Sequence, residues 1–203
     1  MNILVADLEG VFLPEIWINV ALKTGIEELK LTTRDISDYD VLMTRRLAIL
    51  KENKLTIQDI QEVIATLDPL PGARQILDWI RENSQIIILS DTFEEFARPL
   101  MAKLGFPALL CHSLTVDGQG NITDYNLRID NQKAEAVKAL KSLNYRVIAF
   151  GDSYNDIGMI QEAHQGFFFK PPETVVEDYP HIPVTRDYGE LKSMISDLLN
   201  HGV

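Results

Sequence analysis

The sequence has few basic residues and almost no cysteine. Its 203 residues include 30 Asp and Glu against 19 Lys and Arg, which gives a formal net charge of -11. Nucleic acid is normally bound by a basic surface, so we expect no nucleic-acid partner. The single cysteine, Cys111, cannot form an intramolecular disulfide. The chain must therefore fold without a disulfide framework.

Long hydrophobic runs are also missing. No apolar stretch approaches the ~18 residues that a membrane span requires, and Met1 and Asn2 lead into an apolar segment without the basic region of a signal peptide. We expect a cytoplasmic protein with no membrane partner. A hydrophobic content of 46% suffices for one α/β domain with an ordinary core. The oligomeric state stays open, with a homodimer as one alternative.

Short continuous apolar runs indicate strands that are covered on both faces, as in a parallel sheet. They occupy residues 3–6, 85–89, 146–150 and 166–169. Helical patterns separate them, at residues 73–82, 93–104, 133–143 and 153–163. The alternation predicts an α/β fold, a three-layer, Rossmann-like parallel sheet. A Gly-rich turn within residues 112–128 adds a β-hairpin, which we place at the periphery.

Residues 14–68 have a different character, because only helical patterns occur there. Pro14 suits a first helical position, and the helix that follows ends near Gly25. Two more helices are predicted at 39–52 and 57–67, the second opened by a weak capping box at Thr56 and Asp59. We predict a core domain of residues 1–13 and 69–203, with residues 14–68 inserted as a helical cap.

Acidic and hydroxyl side chains follow three of the predicted strands. Asp7 and Glu9 come after the first, Ser90 and Asp91 after the second, and Asp152 after the third. Open parallel sheets bind ligands beyond the carboxyl ends of their strands, and carboxylates gathered there suit Mg²⁺. Any one of these aspartates could instead cap a helix or stabilise a turn. Their convergence favours a site.

Two cations occupy helix positions where a core-facing apolar residue is expected. Arg46 falls on the apolar stripe of the helix at 39–52, and Lys133 falls on that of the helix at 133–143. Both could bury only their stems and extend their charged ends into water. The alternative is that both hold an anion in the cleft, since Lys and Arg bind phosphate and Arg also binds carboxylate. Cations that balance acids around Mg²⁺ describe a phosphoryl-transfer site.

The segment GDSYND (151–156) completes the pattern. Gly151 permits a tight turn after the strand, and Asp152 can ligate a metal. The helix that starts at Ser153 presents an amino end that attracts anions. Asn155 and Asp156 either support the site from behind or only favour the helix dipole.

These motifs, in this order, resemble the haloacid-dehalogenase superfamily of aspartate-nucleophile phosphatases. The helical insertion directly after the first motif looks like the small cap of its phosphoserine phosphatases. More narrowly, the segments DLEGV (7–11), PEIW (14–17), TTRDI (32–36), DYDVLM (38–43) and LSDTF (89–93) are similar to the branch that also transfers phosphate to homoserine.

The resemblance implies a role for each candidate residue. Asp7 is the nucleophile, and Glu9 protonates the departing oxygen and later accepts a proton. The phosphoryl oxygens are held by Ser90 and Lys133, with Asp91 and Asn155 beside the substrate. The cofactor is Mg²⁺, and its ligands are Asp7, Asp152 and the backbone carbonyl of Glu9, with Gly151 and Asp156 supporting them.

The resemblance also implies the substrate. Glu15 and Arg46 match the positions that grip the ammonium and carboxylate of phosphoserine, although Glu15 also fits an ordinary first-turn acid. Most members of the superfamily have Asp where this chain has Glu9, and the extra methylene affects the choice between water and an alcohol, such as homoserine, as acceptor. Two alternatives remain: a phosphatase for a sugar or nucleotide phosphate, and a phospho-receiver module of signalling proteins.

Overall fold

A computed structural model describes residues 1–32, 35–36 and 38–200. The described chain forms seven strands: β1 (Asn2–Ala6), β2 (Gln85–Phe93), β3 (Ala108–Val116), β4 (Ile122–Asn126), β5 (Arg146–Gly151), β6 (Gln165–Phe169) and β7 (Val184–Thr185). It also forms nine α-helices: α1 (Ile16–Thr24), α2 (Tyr39–Glu52), α3 (Ile57–Ala65), α4 (Ala73–Asn83), α5 (Glu94–Met101), α6 (Gln132–Ser142), α7 (Ile157–Glu162), α8 (Glu173–Asp178) and α9 (Tyr188–Asn200). Two 3₁₀ turns lie at Glu27–Lys30 and Tyr154–Asp156.

The seven strands form one sheet in the order β4-β3-β2-β1-β5-β6-β7. All neighbouring pairs are parallel except β3 and β4, which are antiparallel. The predicted α/β fold with a parallel sheet is confirmed. The hairpin is not a separate appendage, because β3 continues the parallel sheet beside β2 and only β4 is at the edge.

The central strand β1 shows how the sheet is covered. Leu4 and Ala6 pack into one apolar cluster, whereas Ile3 and Val5 pack into another. Successive side chains of a strand point to opposite faces, so each cluster lies on one face of the sheet. Helices α4, α5 and α9 contribute to the first cluster, and α6, α7 and α8 contribute to the second. The molecule therefore has three layers.

The helices at residues 14–68, named here the helical insertion, lie over the first cluster. Ile16 and Val20 of α1, Met43 of α2 and Ile60 of α3 are all buried in that cluster. The three predicted helices are confirmed, although α1 begins at Ile16 instead of Pro14 and α3 ends at Ala65 instead of Leu67. Thr56 caps α3 in a capping box with Asp59. The division into a core domain and a cap domain stays a prediction.

Several predicted boundaries are wrong. Strand β2 continues to Phe93 instead of ending at Leu89, and α5 is shorter than the predicted helix at 93–104. The pairing of β2 with β3 becomes irregular between Leu89 and Phe93. At such a bulge a strand can include polar residues. These residues lack the apolar run from which a strand is predicted.

The region after β6 was the least predictable. The segment FKPPETV (169–175) is interpreted from sequence as a Pro-stiffened loop, but α8 begins at Glu173, directly after Pro172. Proline has the φ angle of a first helical turn, so it can precede a helix as well as stiffen a loop. Strand β7 and helix α9, which buries Leu191 and Ile195, were not predicted.

Across the described ranges, we find no helix that combines the length and the apolar character of a membrane span.

Candidate active site

A cleft of about 150 Å³ lies between the carboxyl ends of the strands and the helical insertion. It brings together most of the predicted site residues: Asp7, Glu9, Glu15, Arg46, Ser90, Asp91, Asp152 and Asn155. Asp7, Asp91 and Asp152 form one side of the cleft, named here the acidic wall. Lys133 and Asp156 lie behind this wall and are bonded to each other at 2.8 Å. Of the segment at 32–43 that carries part of the resemblance, Thr33, Arg34 and Ser37 lie outside the described residues.

Lys133 is the cation behind the acidic wall. Its side chain is only 3% exposed, and Nζ lies 2.8 Å from Asp156 Oδ1, 3.0 Å from Asp7 Oδ1 and 3.5 Å from Asp91 Oδ2. The reading in which its charged end extends into water is therefore wrong. Burial alone would lower the pKa of Lys133, but Asp156, Asp7 and Asp91 raise it well above its ordinary value. Lys133 stays charged and ties three carboxylates together.

Three buried carboxylates lie close enough to share a metal ion. Oxygens of Asp7, Asp152 and Asp156 all lie within 4.8 Å of one another. Burial, followed by repulsion from Asp156, raises the pKa of Asp7 well above its ordinary value, and Lys133 only partly offsets this. Crowded anionic oxygen donors suit a hard divalent cation such as Mg²⁺. Asp156, predicted only as a supporting residue, thus belongs to the potential ligand group.

The segment GDSYND forms a different local structure from the one predicted. The N–H groups of Asp152 and Ser153 donate to Asp156 Oδ2 at 2.8 and 3.0 Å. The amino end expected to attract an external anion therefore binds the chain's own carboxylate. A 3₁₀ turn at Tyr154–Asp156 precedes α7, and these bonds hold Asp156 in place beside Lys133.

Two glycines allow the strands and the acids to pack closely. A Cβ atom on Gly10 would lie 2.3 Å from Asp152 Oδ2, and one on Gly151 would lie 2.3 Å from Asp156 Cγ. Gly10 also has a φ of +75°, which L residues with a side chain rarely adopt. Gly10, after β1, thus makes room for the carboxylate of Asp152, which follows β5. Gly151 makes room for the carboxylate of Asp156 in its own turn.

The Glu9 carboxylate binds the amino end of α1. Its Oε2 accepts a 2.7 Å hydrogen bond from Ile16 N, the first residue of α1. The expectation that Asp7 and Glu9 crowd one region is only partly met, because both line the cleft but their carboxylates have different partners. Burial, followed by Glu15, raises the pKa of Glu9 to about 7, against the opposing effects of Ile16, Arg46 and Thr92.

We expect Glu9→Gln to stabilise the metal-free protein increasingly as the pH rises. The ordinary pKa of Glu9 is 4.5 and the folded pKa is about 7, so the folded state loses stability between these values as protons leave the unfolded chain first. The free energy of unfolding of Glu9→Gln should exceed that of the wild type only slightly below pH 4.5. The difference should grow up to pH 7 and then level off. Thermal unfolding in EDTA across this range measures it, and a gain that is independent of pH would contradict the burial argument.

Arg46 of α2, within the helical insertion, is buried, with only 7% of its surface exposed. Its guanidinium stacks 4.4 Å from the Trp17 ring, and Nη2 donates to the Leu31 carbonyl at 2.8 Å. Among the described atoms, Nε has no hydrogen-bond partner. Burial lowers the pKa of Arg46 to about 10, so it remains charged at neutral pH. A charged donor this deeply buried is expected to face an anion.

Sequence reasoning missed residues that hold the predicted ones. No role was predicted for Trp17 or Tyr39, yet Trp17 stacks on Arg46 and Tyr39 Oη donates to the Asp91 carbonyl at 3.4 Å. Thr92 bonds to Glu9. Gln132 has no apolar periodicity that would reveal it, although its position directly before Lys133 was an available signal.

The comparisons with known proteins agree with this geometry. Residues 19–161 match the model of the haloacid dehalogenase-like hydrolase family. The phosphoserine phosphatase ThrH of Pseudomonas aeruginosa is 57% identical, covering 95% of this chain and 94% of its own. A phosphoserine phosphatase of Pseudomonas syringae pv. tomato is 55% identical, covering 92% and 78%. A crystal structure of an apo phosphoserine phosphatase has a TM-score of 0.77 at 21% identity, covering 95% of this chain and 98% of that one.

Fold and site together define a parallel α/β hydrolase with a carboxylate-rich cleft under a helical insertion. The chain belongs to the haloacid dehalogenase-like hydrolase family.

Proposed function

We propose that the protein is a Mg²⁺-dependent phosphoserine phosphatase that also transfers the phosphoryl group to homoserine. The names of the relatives at 57% and 55% identity support the substrate. The observation that carries the proposal is that charged side chains lie at two opposite sides of one cleft. Asp7 and Lys133 lie on the acidic side, and Arg46, with its unpaired Nε, lies on the side of the helical insertion.

This distribution of charge suits an amino acid that carries a phosphate. Arg46 lines the cleft, so its guanidinium would bind the carboxylate of the substrate, and Glu15 would bind the ammonium group. Ser90 and Lys133 would bind the phosphoryl oxygens. A sugar or nucleotide phosphate has no carboxylate for Arg46, so it leaves a buried charge without a partner.

The first half-reaction forms a covalent intermediate on Asp7. A carboxylate oxygen of Asp7 attacks phosphorus, and the bond from phosphorus to the serine oxygen breaks. Protonated Glu9 gives its proton to that oxygen, so serine leaves neutral. Covalent catalysis divides one difficult displacement into two easier ones.

The second half-reaction reverses the proton transfer. A water molecule or the hydroxyl group of homoserine loses its proton to Glu9, its oxygen attacks phosphorus, and the bond to Asp7 breaks. A pKa of about 7 suits both directions, because each protonation state of Glu9 is well populated near neutral pH. Glu9 lines the cleft, and the hydrogen bond from Ile16 N to its Oε2 restricts the orientation of the carboxyl group.

The metal site has the donors that this chemistry requires. Asp7, Asp152 and the backbone carbonyl of Glu9 would hold Mg²⁺, and Asp156 offers a further oxygen nearby. When bound, Mg²⁺ offsets the negative charge of Asp7 and of the phosphoryl group, which must approach each other. The raised pKa of Asp7 supports this role, because it reflects carboxylates that Lys133 does not fully neutralise.

The deciding experiment offers phosphoserine with and without homoserine in Mg²⁺ buffer and follows both products. We expect phosphate release in the first case and phosphohomoserine in the second. Release of phosphate at the same rate in both, with no phosphohomoserine, would exclude the transferase activity. A single stoichiometric phosphorylation without turnover would instead favour the phospho-receiver alternative.

Arg46→Ala tests the substrate class. We expect the KM for phosphoserine to rise about 10- to 100-fold, the effect of losing a charged hydrogen bond of about 1.5–3 kcal/mol. The KM for p-nitrophenyl phosphate, which has no carboxylate, should stay nearly constant. Arg45→Ala, on the same helix, is the matched control because Arg45 is exposed and does not line the cleft. An unchanged KM for phosphoserine in Arg46→Ala would argue for a different substrate.

A further inference from the structure

Gln132 is a buried amide that no step of the proposed reaction uses. It is the first residue of α6, directly before Lys133, and is 3% exposed. Its Nε2 donates to the Ser90 carbonyl at 2.5 Å and to Asp91 Oδ1 at 3.2 Å, and its Oε1 accepts from Arg128 Nη2 at 3.2 Å. The reversed amide would put two oxygens 2.5 Å apart, so these contacts identify the donor end.

These bonds occur where the sheet loses its regular pairing. Leu89 pairs with Leu110 and Phe93 pairs with His112, so the register between β2 and β3 shifts across residues 90–92. A bulge of this kind interrupts the ladder of backbone hydrogen bonds and redirects side chains. Within this irregular stretch, the Gln132 amide satisfies the Ser90 carbonyl, a buried acceptor.

Lys133 makes a second link between the same two elements. Its Nζ lies 3.5 Å from Asp91 Oδ2, which also accepts from Asn155 Nδ2 at 2.9 Å. Two adjacent residues of α6 therefore hold two adjacent residues of β2. His112 Nε2 lies 3.2 Å from the same Gln132 Nε2 and 3.7 Å from Asp91 Oδ1. The amide is enclosed by polar groups and has little freedom to move.

We propose that Gln132 is a positioning residue that sets the distance between Ser90 and Lys133, the two groups that hold the phosphoryl oxygens. This inference rests on the proposed function, which gives Ser90 and Lys133 that role. Without the amide, the end of β2 is free to shift against the amino end of α6. A misplacement of about 1 Å at reacting groups can lower the rate on the order of 10²-fold. The amino-acid end of the substrate, at Arg46, is unaffected.

Gln132→Met tests the role, because methionine has a similar length and donates no hydrogen bond. We expect kcat per active site to fall about 10- to 100-fold with phosphoserine and with p-nitrophenyl phosphate alike. The KM for phosphoserine should change less than about twofold, since uniform binding is retained. A purely structural role would lower the melting temperature and leave kcat per titrated active site unchanged.

Gln61→Met is the matched control. Gln61 Nε2 also donates to a backbone carbonyl, that of Glu95 at 2.8 Å, but Gln61 lies outside the cleft. It should lose stability without losing kcat on p-nitrophenyl phosphate. If Gln132→Met does not fold, Gln132→Glu keeps the volume and the Arg128 contact while removing both donors, and the same loss of kcat is expected. A kcat within about twofold of wild type in the folded variants would overturn the inference.

The two proposals fail in distinguishable ways. If the wild type hydrolyses p-nitrophenyl phosphate but not phosphoserine, the substrate assignment fails. The kcat values of Gln132→Met and the wild type can then still be compared with p-nitrophenyl phosphate. If the wild type hydrolyses neither ester, affinity for orthovanadate replaces kcat. A weaker affinity in Gln132→Met then supports the positioning role, and an equal affinity overturns it.

Discussion

Asp7→Asn should abolish turnover and leave the fold intact. The amide has nearly the same shape as the carboxylate but is too weak a nucleophile to attack phosphorus, so we expect kcat to fall by at least about 10³-fold. Because burial and Asp156 raise the pKa of Asp7, its ionised form destabilises the metal-free protein near neutral pH. Removing the charge should therefore leave the melting temperature in EDTA unchanged or higher.

The covalent step can be checked directly. Protein that is quenched in acid during turnover of phosphoserine should carry one added phosphoryl group by mass spectrometry, and Asp7→Asn should carry none. The exposed Asp124→Asn on β4 is the control for loss of one negative charge, and it should match the wild type. Removal of Mg²⁺ with EDTA should stop turnover as completely as Asp7→Asn. Activity near the wild-type level in either case contradicts the mechanism.

Lys133→Met should lose both activity and stability. Lys133 is the cation that lies within 3.5 Å of the buried Asp7 and Asp156 and of the half-buried Asp91, and its removal leaves these carboxylates without their shared partner. Breaking a buried ion pair by deleting one partner costs about 3–5 kcal/mol. We expect a loss of this size in urea unfolding of the metal-free protein, together with a loss of phosphoryl binding.

Lys138→Met is the matched control on the same helix. Lys138 pairs with Glu135 at 2.7 Å, but both side chains are exposed, and such pairs contribute little. Its unfolding midpoint and kcat should equal those of the wild type. If Lys133→Met were as stable as Lys138→Met, the description of Lys133 as the residue that holds the acidic wall together would be wrong.

Part of this molecule could be predicted from local pattern. The apolar run at Ile3–Ala6 predicts a doubly covered strand because both of its faces are buried. Acids after parallel strands predict a shared edge because the strands have one direction. The off-pattern charges at Arg46 and Lys133 predict buried cations, although sequence could not exclude the exposed alternative. These features follow from the periodicity and direction of the chain.

Other features depend on where distant segments meet. Helix α8 and strand β7 have patterns too short to identify, and the irregular end of β2 exists only because β3 lies beside it. The sequence predicts that the Asp7 and Glu9 side chains crowd together. In the structure, Glu9 accepts a hydrogen bond from Ile16 N at the start of α1, whereas Asp7 lies 3.0 Å from Lys133.

Local sequence pattern was enough to predict the parallel sheet, the helices at 14–68 and the charged residues at the strand ends. The partner of each charge depends on the assembled fold, as the positions of Asp156 beside Asp7 and of Gln132 beside Ser90 show. The physical reason is that strand and helix patterns act over a few neighbouring residues. A buried charge is instead stabilised by whichever groups the whole fold brings within hydrogen-bond distance.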